Sequence, residues 1–134
     1  PLESDFDRAI ERWRLTKAYP GAALSPPEKP IVFYVEKTVP EKYRLYVRRG
    51  VEAWNEAFRA VGIENAIEVR QQTDTQHAEI DPEDVRYNFI RWVPTGAGYA
   101  IALHRTDPRT GEILDAGRSD HLPLRVTIAQ PAPQ

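Results

Sequence analysis

Hydrophobic residues step by three or four from Tyr43 through Val47, Val51, Trp54 and Phe58 to Val61. The charged residues Arg44, Arg48, Arg49, Glu52, Glu56 and Arg59 fall off that stripe. This is the period of a helix with one buried face. Thr38 is placed to cap its start, with Glu41 reaching back and Pro40 tolerated in the first turn. Gly62 suits the residue just past its end. Upstream, Ile31 to Glu36 is apolar on both faces except at its end, the pattern of a central, doubly covered strand. Downstream, residues 66–70 alternate as a half-buried strand does, and residues 87–93 predict a third strand. Residues 71–84 are polar and contain Asp81-Pro82, which predicts a loop.

Tyr99, Ile101 and Leu103 alternate with Ala100, Ala102 and His104, predicting a fourth strand after a turn at residues 94–98. Asp107-Pro108-Arg109-Thr110-Gly111 is a turn signal, and residues 112–115 return as a fifth strand hairpin-paired to the fourth. Near the start, Phe6, Ile10, Trp13 and Lys17 have helical spacing, with Ser4 or Asp5 as a cap, so residues 5–17 are expected to be helical. Pro20 and the Pro26-Pro27-Glu28-Lys29-Pro30 run then predict an extended linker. The expected organisation is a helix and linker over 1–30, a globular unit over 31–122 and a tail over 123–134. The fold class is α/β (α+β): a mixed, mainly parallel sheet of about five strands with an antiparallel edge hairpin. The long helix should pack on one face, and its aromatic Trp54 and Phe58 should belong to the core.

The 134 residues suffice for one core, and a net charge of −2 without an arginine-rich block gives no expectation of a nucleic-acid partner. No apolar run approaches the roughly 20 residues of a membrane span. Cysteine is absent, which removes disulfides and thiolate metal sites. The chain begins at Pro1 and contains no Met, so it is expected to be a piece of a longer protein.

Several ordered stretches resemble a bacterial family of large zinc-dependent metalloproteases, the met-zincin domain proteins. They are Arg12-Trp13-Arg14-Leu15, Ala22-Ala23-Leu24-Ser25-Pro26-Pro27, Pro30-Ile31-Val32-Phe33-Tyr34 and Thr38-Val39-Pro40-Glu41-Lys42-Tyr43-Arg44. The rest are Gly50-Val51-Glu52-Ala53-Trp54-Asn55-Glu56-Ala57-Phe58, Asp81-Pro82-Glu83-Asp84-Val85-Arg86-Tyr87, Ile90-Arg91-Trp92 and the run from Asp107 to Ala116. The resemblance implies the upper half of a metzincin-like catalytic domain. There a five-stranded sheet carries an antiparallel edge strand above the cleft, and extended substrate pairs with that edge. Carried to this sequence, the edge is Tyr99, Ala100, Ile101, Ala102, Leu103 and His104, the expected substrate-binding residues. It also implies a periplasmic or extracellular setting, with the rest of the catalytic domain and a peptide or protein substrate as partners; the expected unpaired edge could also pair with a second copy of this chain. Zinc is implied for the parent protein, a metallopeptidase, and none for this chain.

After Ala116 the sequence departs from that pattern, and no His-Glu-x-x-His occurs. Such a motif sets two zinc ligands one helical turn apart with a Glu to activate the bound water. No ligand or catalytic position can therefore be carried over, and the chain alone is expected to be inactive. The alternative reading is a stand-alone, non-catalytic module that binds protein or peptide. His104, Asp120 and His121 could meet at one end of the hairpin, but their spacing matches no metal site and they read as surface residues. Asp81, Glu83 and Asp84 form an acidic group whose spacing suits a turn better than a calcium loop.

Overall fold

A computed structural model of the chain describes residues 9–84, 86–92, 104–116, 118–119 and 122–123. Three parallel strands form its centre, in the order β2-β1-β3: β1 (Ile31–Val35), β2 (Ile67–Gln71) and β3 (Asn88–Ile90). The run of apolar residues in β1 is explained by this central position, with Ile31 paired to Ile67 on one side and Phe33 to Asn88 on the other. Between β1 and β2 the chain forms α1 (Glu41–Glu52) and α2 (Trp54–Ala60). Val47 is buried, and with Val35, Val39, Val69 and Ile90 it makes the core between helix and sheet. Tyr43 stacks on Trp92 at that layer's margin, ring centroids 5.2 Å apart.

The opposite face of the sheet is closed by the loop from Gln72 to Tyr87. Buried Tyr34 stacks on Phe89 at 5.3 Å and meets the rings of Tyr87 and His77 edge-on. Buried Gln72 holds the loop by donating to the carbonyls of His77 and Ile80, at 3.2 and 2.9 Å. The expected polar loop is thus the second covering layer of the sheet.

The remaining strands are β4 (His104–Thr106), β5 (Ile113–Ala116), β6 (Arg118–Ser119) and β7 (Leu122–Pro123). β4 and β5 form the expected antiparallel hairpin, and β6 and β7 a second small one. Among the described residues the sheets are one of three strands and two of two, rather than a single sheet of about five. β5 nevertheless approaches β3, which sets the first hairpin near that side of the parallel sheet. Of the expected strand over residues 99–104, only His104 is within the described residues. The expected turn at 94–98 and the tail beyond Pro123 lie outside them.

Four expectations are corrected. Residues 9–17 are extended, not helical, with single bridges from Arg12 to Glu112 and from Lys17 to Pro27. The helical spacing of Ile10, Trp13 and Lys17 has another origin: Trp13 contacts the ring of Phe33 edge-on at 6.3 Å, while Ile10 is exposed. Thr38 does not cap α1, whose N-cap is Pro40. Its hydroxyl donates to the buried carboxylate of Glu36 instead, at 2.6 Å. Trp54, expected in the core, is 65% exposed, as is Val61 at 71%. The helix is interrupted at Ala53, and beyond it Asn55 is the residue that meets the sheet.

The proline segment after Lys17 is not the extended linker expected: a turn closed by the Ala22 N–H on the Tyr19 carbonyl folds it back, so that Lys17 bridges Pro27 and Ala18 N–H donates to the Pro26 carbonyl. Ser25 is fully buried; its N–H donates to the Gly62 carbonyl and its own carbonyl accepts from Glu64. Gly62 has φ +90, and a Cβ there would sit 2.7 Å from the Ala23 carbonyl oxygen, so the turn requires glycine for space as well as conformation.

Candidate functional site: a strand edge and the strap that positions it

Two outer strand edges differ. Along β2, alternate residues turn their backbone groups outward: Ile31 donates to the Ala66 carbonyl and Gln72 to the Val35 carbonyl, which leaves Ile67, Val69 and Gln71 facing away from β1. At Ile67 that edge is closed by a side chain. Asn55 Nδ2 donates to the Ile67 carbonyl at 2.9 Å, and Asn55 Oδ1 accepts from the Ile67 N–H at 2.8 Å. The amide imitates one residue of a neighbouring strand. Arg48 and Glu52 of α1 and prolines 26, 27 and 30 wall the rest of this edge into an open cleft of about 680 Å³.

On the other side of the molecule, beyond β3, the hairpin presents β4 as its own outer strand among the described residues. Asp107 N–H donates inward to the Glu112 carbonyl at 2.8 Å, so strand alternation turns the backbone of Thr106 and His104 outward. The register slips between Arg105 and Thr106, whose partners are Asp115 and Ile113. Leu114 is therefore an extra residue on β5, a bulge that twists the hairpin. Its side chain is 62% exposed.

The hairpin turn is tightly specified. Asp107 Oδ1 accepts from the Arg109 N–H at 2.8 Å, and the Asp107 carbonyl accepts from Thr110 and Gly111. The Arg109 guanidinium donates to the same carboxylate, and with that backbone N–H it holds Asp107 below the usual aspartate range.

The extended N-terminal segment straps this hairpin to the sheet. Arg12 N–H donates to the Gly111 carbonyl at 2.9 Å, and Ile113 N–H donates to the Arg12 carbonyl at 2.8 Å. Gly111 has φ +71, and a Cβ at that position would collide with the carbonyl of Ile10. The Glu11 carboxylate lies 2.5 Å from His104 Nε2, so the first residue of β4 is also tied to the strap. Trp13 then carries the segment to Phe33 of β1.

A second polar cluster occupies the carboxyl ends of β1 and β3. The chain leaves β1 toward β2 on one side and returns from β2 to β3 on the other, so these ends form the switch point of the sheet. Buried Glu36 accepts there from Arg91 Nε at 2.9 Å and from the Thr38 hydroxyl. Arg91 also donates to Glu83, and the Trp92 N–H donates to Thr38. Burial disfavours the Arg91 charge, but hydrogen bonds and charges from Glu36 and Glu83 outweigh it and raise its pKa above the ordinary value. The site is filled by its own ion pair. In the sequence, Glu36 reads only as the end of a strand, and its pairing with Arg91 spans 55 positions.

Glu83 is thus committed to Arg91, while Asp81 Oδ1 accepts from the Glu83 N–H and Asp84 pairs with Arg86. The acidic group forms turns, in keeping with its spacing. His104 is brought to Glu11, and His77 to Tyr34 on the far face of the sheet. Asp120, His121 and the edge residues Tyr99, Ala100, Ile101, Ala102 and Leu103 lie outside the described residues. Among the described residues, no helix is long and apolar enough to cross a membrane. No family model, curated protein or solved structure matches the chain.

Proposed function

We propose that this chain is the sheet half of a metzincin-like zinc metallopeptidase domain, in which the outer edge of β4 pairs with an extended peptide. The observation that carries this reading is the position of β4. It is the outer, antiparallel strand of a hairpin set beside a parallel three-stranded sheet with a helical crossover. An outward-facing edge offers N–H and C=O groups in the spacing of an extended backbone, which is the chemistry of β-augmentation. The β2 edge is less suited, because Asn55 already occupies one of its pairing positions. The strap supports the same reading, since it fixes the hairpin from the side away from β4. Among the described residues no group of three or more His, Cys, Asp or Glu side chains could hold a metal ion. The described residues do not fit the zinc site of the family, and no hydrolytic step is assigned to them.

The test has two arms. In an NMR titration of the isotope-labelled chain with an extended, protease-sensitive peptide, the amides of His104 and Thr106 should shift while those of β2 stay in place. Thr106→Pro should weaken that binding and leave the folded core intact, because it removes only an outward donor. Shifts confined to β2, or none, would overturn the edge assignment. The second arm is the parent reading frame downstream of Gln134, which should encode His-Glu-x-x-His. Peptide binding without that motif would instead identify a stand-alone binding module.

A further inference from the structure

The long helix is apolar on two sides. Val47 and its neighbours face the sheet, as the core requires. Adjoining that face, a second stripe runs through Tyr46, Gly50, Ala53, Trp54, Ala57 and Val61, every one of them exposed. The spacing is again three or four, so these residues share a face. Tyr46, Trp54 and Val61 are each about two-thirds exposed, at 68%, 65% and 71%. Scattered surface hydrophobes need no explanation, but a contiguous helical stripe with aromatic anchors marks an interaction surface. A Cβ added at Gly50 meets nothing within 4 Å, so neither helix packing nor the turn explains glycine there. A small residue on an exposed helix face does allow another helix to approach closely.

The charges beside the stripe select the occupant. Arg49 and Glu56 lie on the same flank, four residues before and three after Ala53. Both are exposed, and neither side chain has a hydrogen-bond or ion-pair partner among the described residues. When two copies of one helix pair antiparallel about a twofold axis, each flank meets its own copy running the other way. A twofold near Ala53 therefore brings Arg49 of each copy to Glu56 of the other, two complementary pairs from one sequence. The same reversal sets Tyr46 against the small side chains of Ala57 and Ala60, and Trp54 over Gly50. Both aromatic residues thus meet small ones.

We infer that this exposed face of α1 and α2 is a self-docking surface, on which a second copy of this chain packs antiparallel about Ala53. This goes beyond the peptide edge of β4 and does not depend on it. One helical face offers less than the roughly 800 Å² per partner of a standard interface, so the dimer is a weak one with dissociation in the micromolar range.

Sedimentation equilibrium of the whole chain from micromolar to millimolar concentration tests this. The unchanged protein should approach a dimer at the upper end. Arg49→Glu alone and Glu56→Arg alone should each weaken association roughly tenfold or more, because both charge pairs become repulsions. An equimolar mixture of the two variants should restore it as a heterodimer, and so should the double variant with itself. Both positions are exposed, so the monomer fold should be unchanged by circular dichroism. A chain that stays monomeric throughout overturns the proposal. So does a dimer that ignores the charge reversals, the behaviour of pairing through the β4 edge, which Thr106→Pro would weaken.

Discussion

Glu36 is 5% exposed and carries a formal charge at the end of the central strand. Such a group is tolerable only when its partners are fixed, and here they are Arg91 and the Thr38 hydroxyl. Arg91 itself is 21% exposed at the side chain, so solvent screens the pair little. Breaking it from one side leaves the other charge buried, at a cost of about 3–5 kcal/mol. Arg91→Met should therefore destabilise the domain by about that amount in urea unfolding. Glu36→Gln combined with Arg91→Met should recover much of the loss, since no unpaired charge remains. A double-mutant cycle with no coupling energy would show that the two side chains act independently. None of this was legible in the sequence. A charged residue closing a hydrophobic run looks like a strand end reaching water, and only the return of β3 beside β1 reveals the partner. The turn carboxylates were legible for the opposite reason: Asp81 and Asp107 bond to backbone groups two residues away, a relation that spacing alone encodes.

At the scale of elements, the period of the long helix was readable but its limits were not. Tyr43, Val47 and Val51 do face the sheet, because β1 and β2 lie beneath them. The same period continues through Trp54 and Val61, yet the sheet ends at β2, and period carries no information about how far a partner surface extends. Substitutions along the stripe should separate the two halves. Val47→Ala removes buried volume and should cost about 1.5–3 kcal/mol. Trp54→Ala, at an exposed position, should change the stability of the monomer by less than about 0.5 kcal/mol. Comparable losses at both positions, measured by denaturation at low protein concentration, would place Trp54 in the core after all. The N-terminal segment failed for a related reason. Its apolar residues have helical spacing, but the chain there is drawn out by pairing with Gly111 and Ile113, residues about a hundred positions away. Tertiary pairing overrides a three-residue periodicity with ease.

At the scale of the molecule, the strap decides whether β4 can act as an edge. The hairpin is hydrogen-bonded to no strand of the parallel sheet among the described residues, and there the approach of β5 to β3 and the strap are contacts that orient it. The strap's closest approach is at Gly111, where only hydrogen fits opposite the Ile10 carbonyl and where φ is +71. Gly111→Ala would meet both penalties: about 1–2 kcal/mol for a left-handed non-glycine residue, and a collision relieved only by separating strap from turn. The parallel core contains no part of that contact. In hydrogen exchange, the amides of Arg12 and Ile113 should lose protection in this variant, while those bonding β1 to β2, such as Gln72, keep theirs. If β4 is the peptide-binding edge, affinity should fall as well, because the hairpin would no longer hold a fixed position against the sheet. Unchanged protection at Arg12 would show that the strap tolerates a side chain at Gly111. Lost protection with undiminished peptide binding would show that the hairpin is an edge in its own right, oriented by β3 and β5 alone.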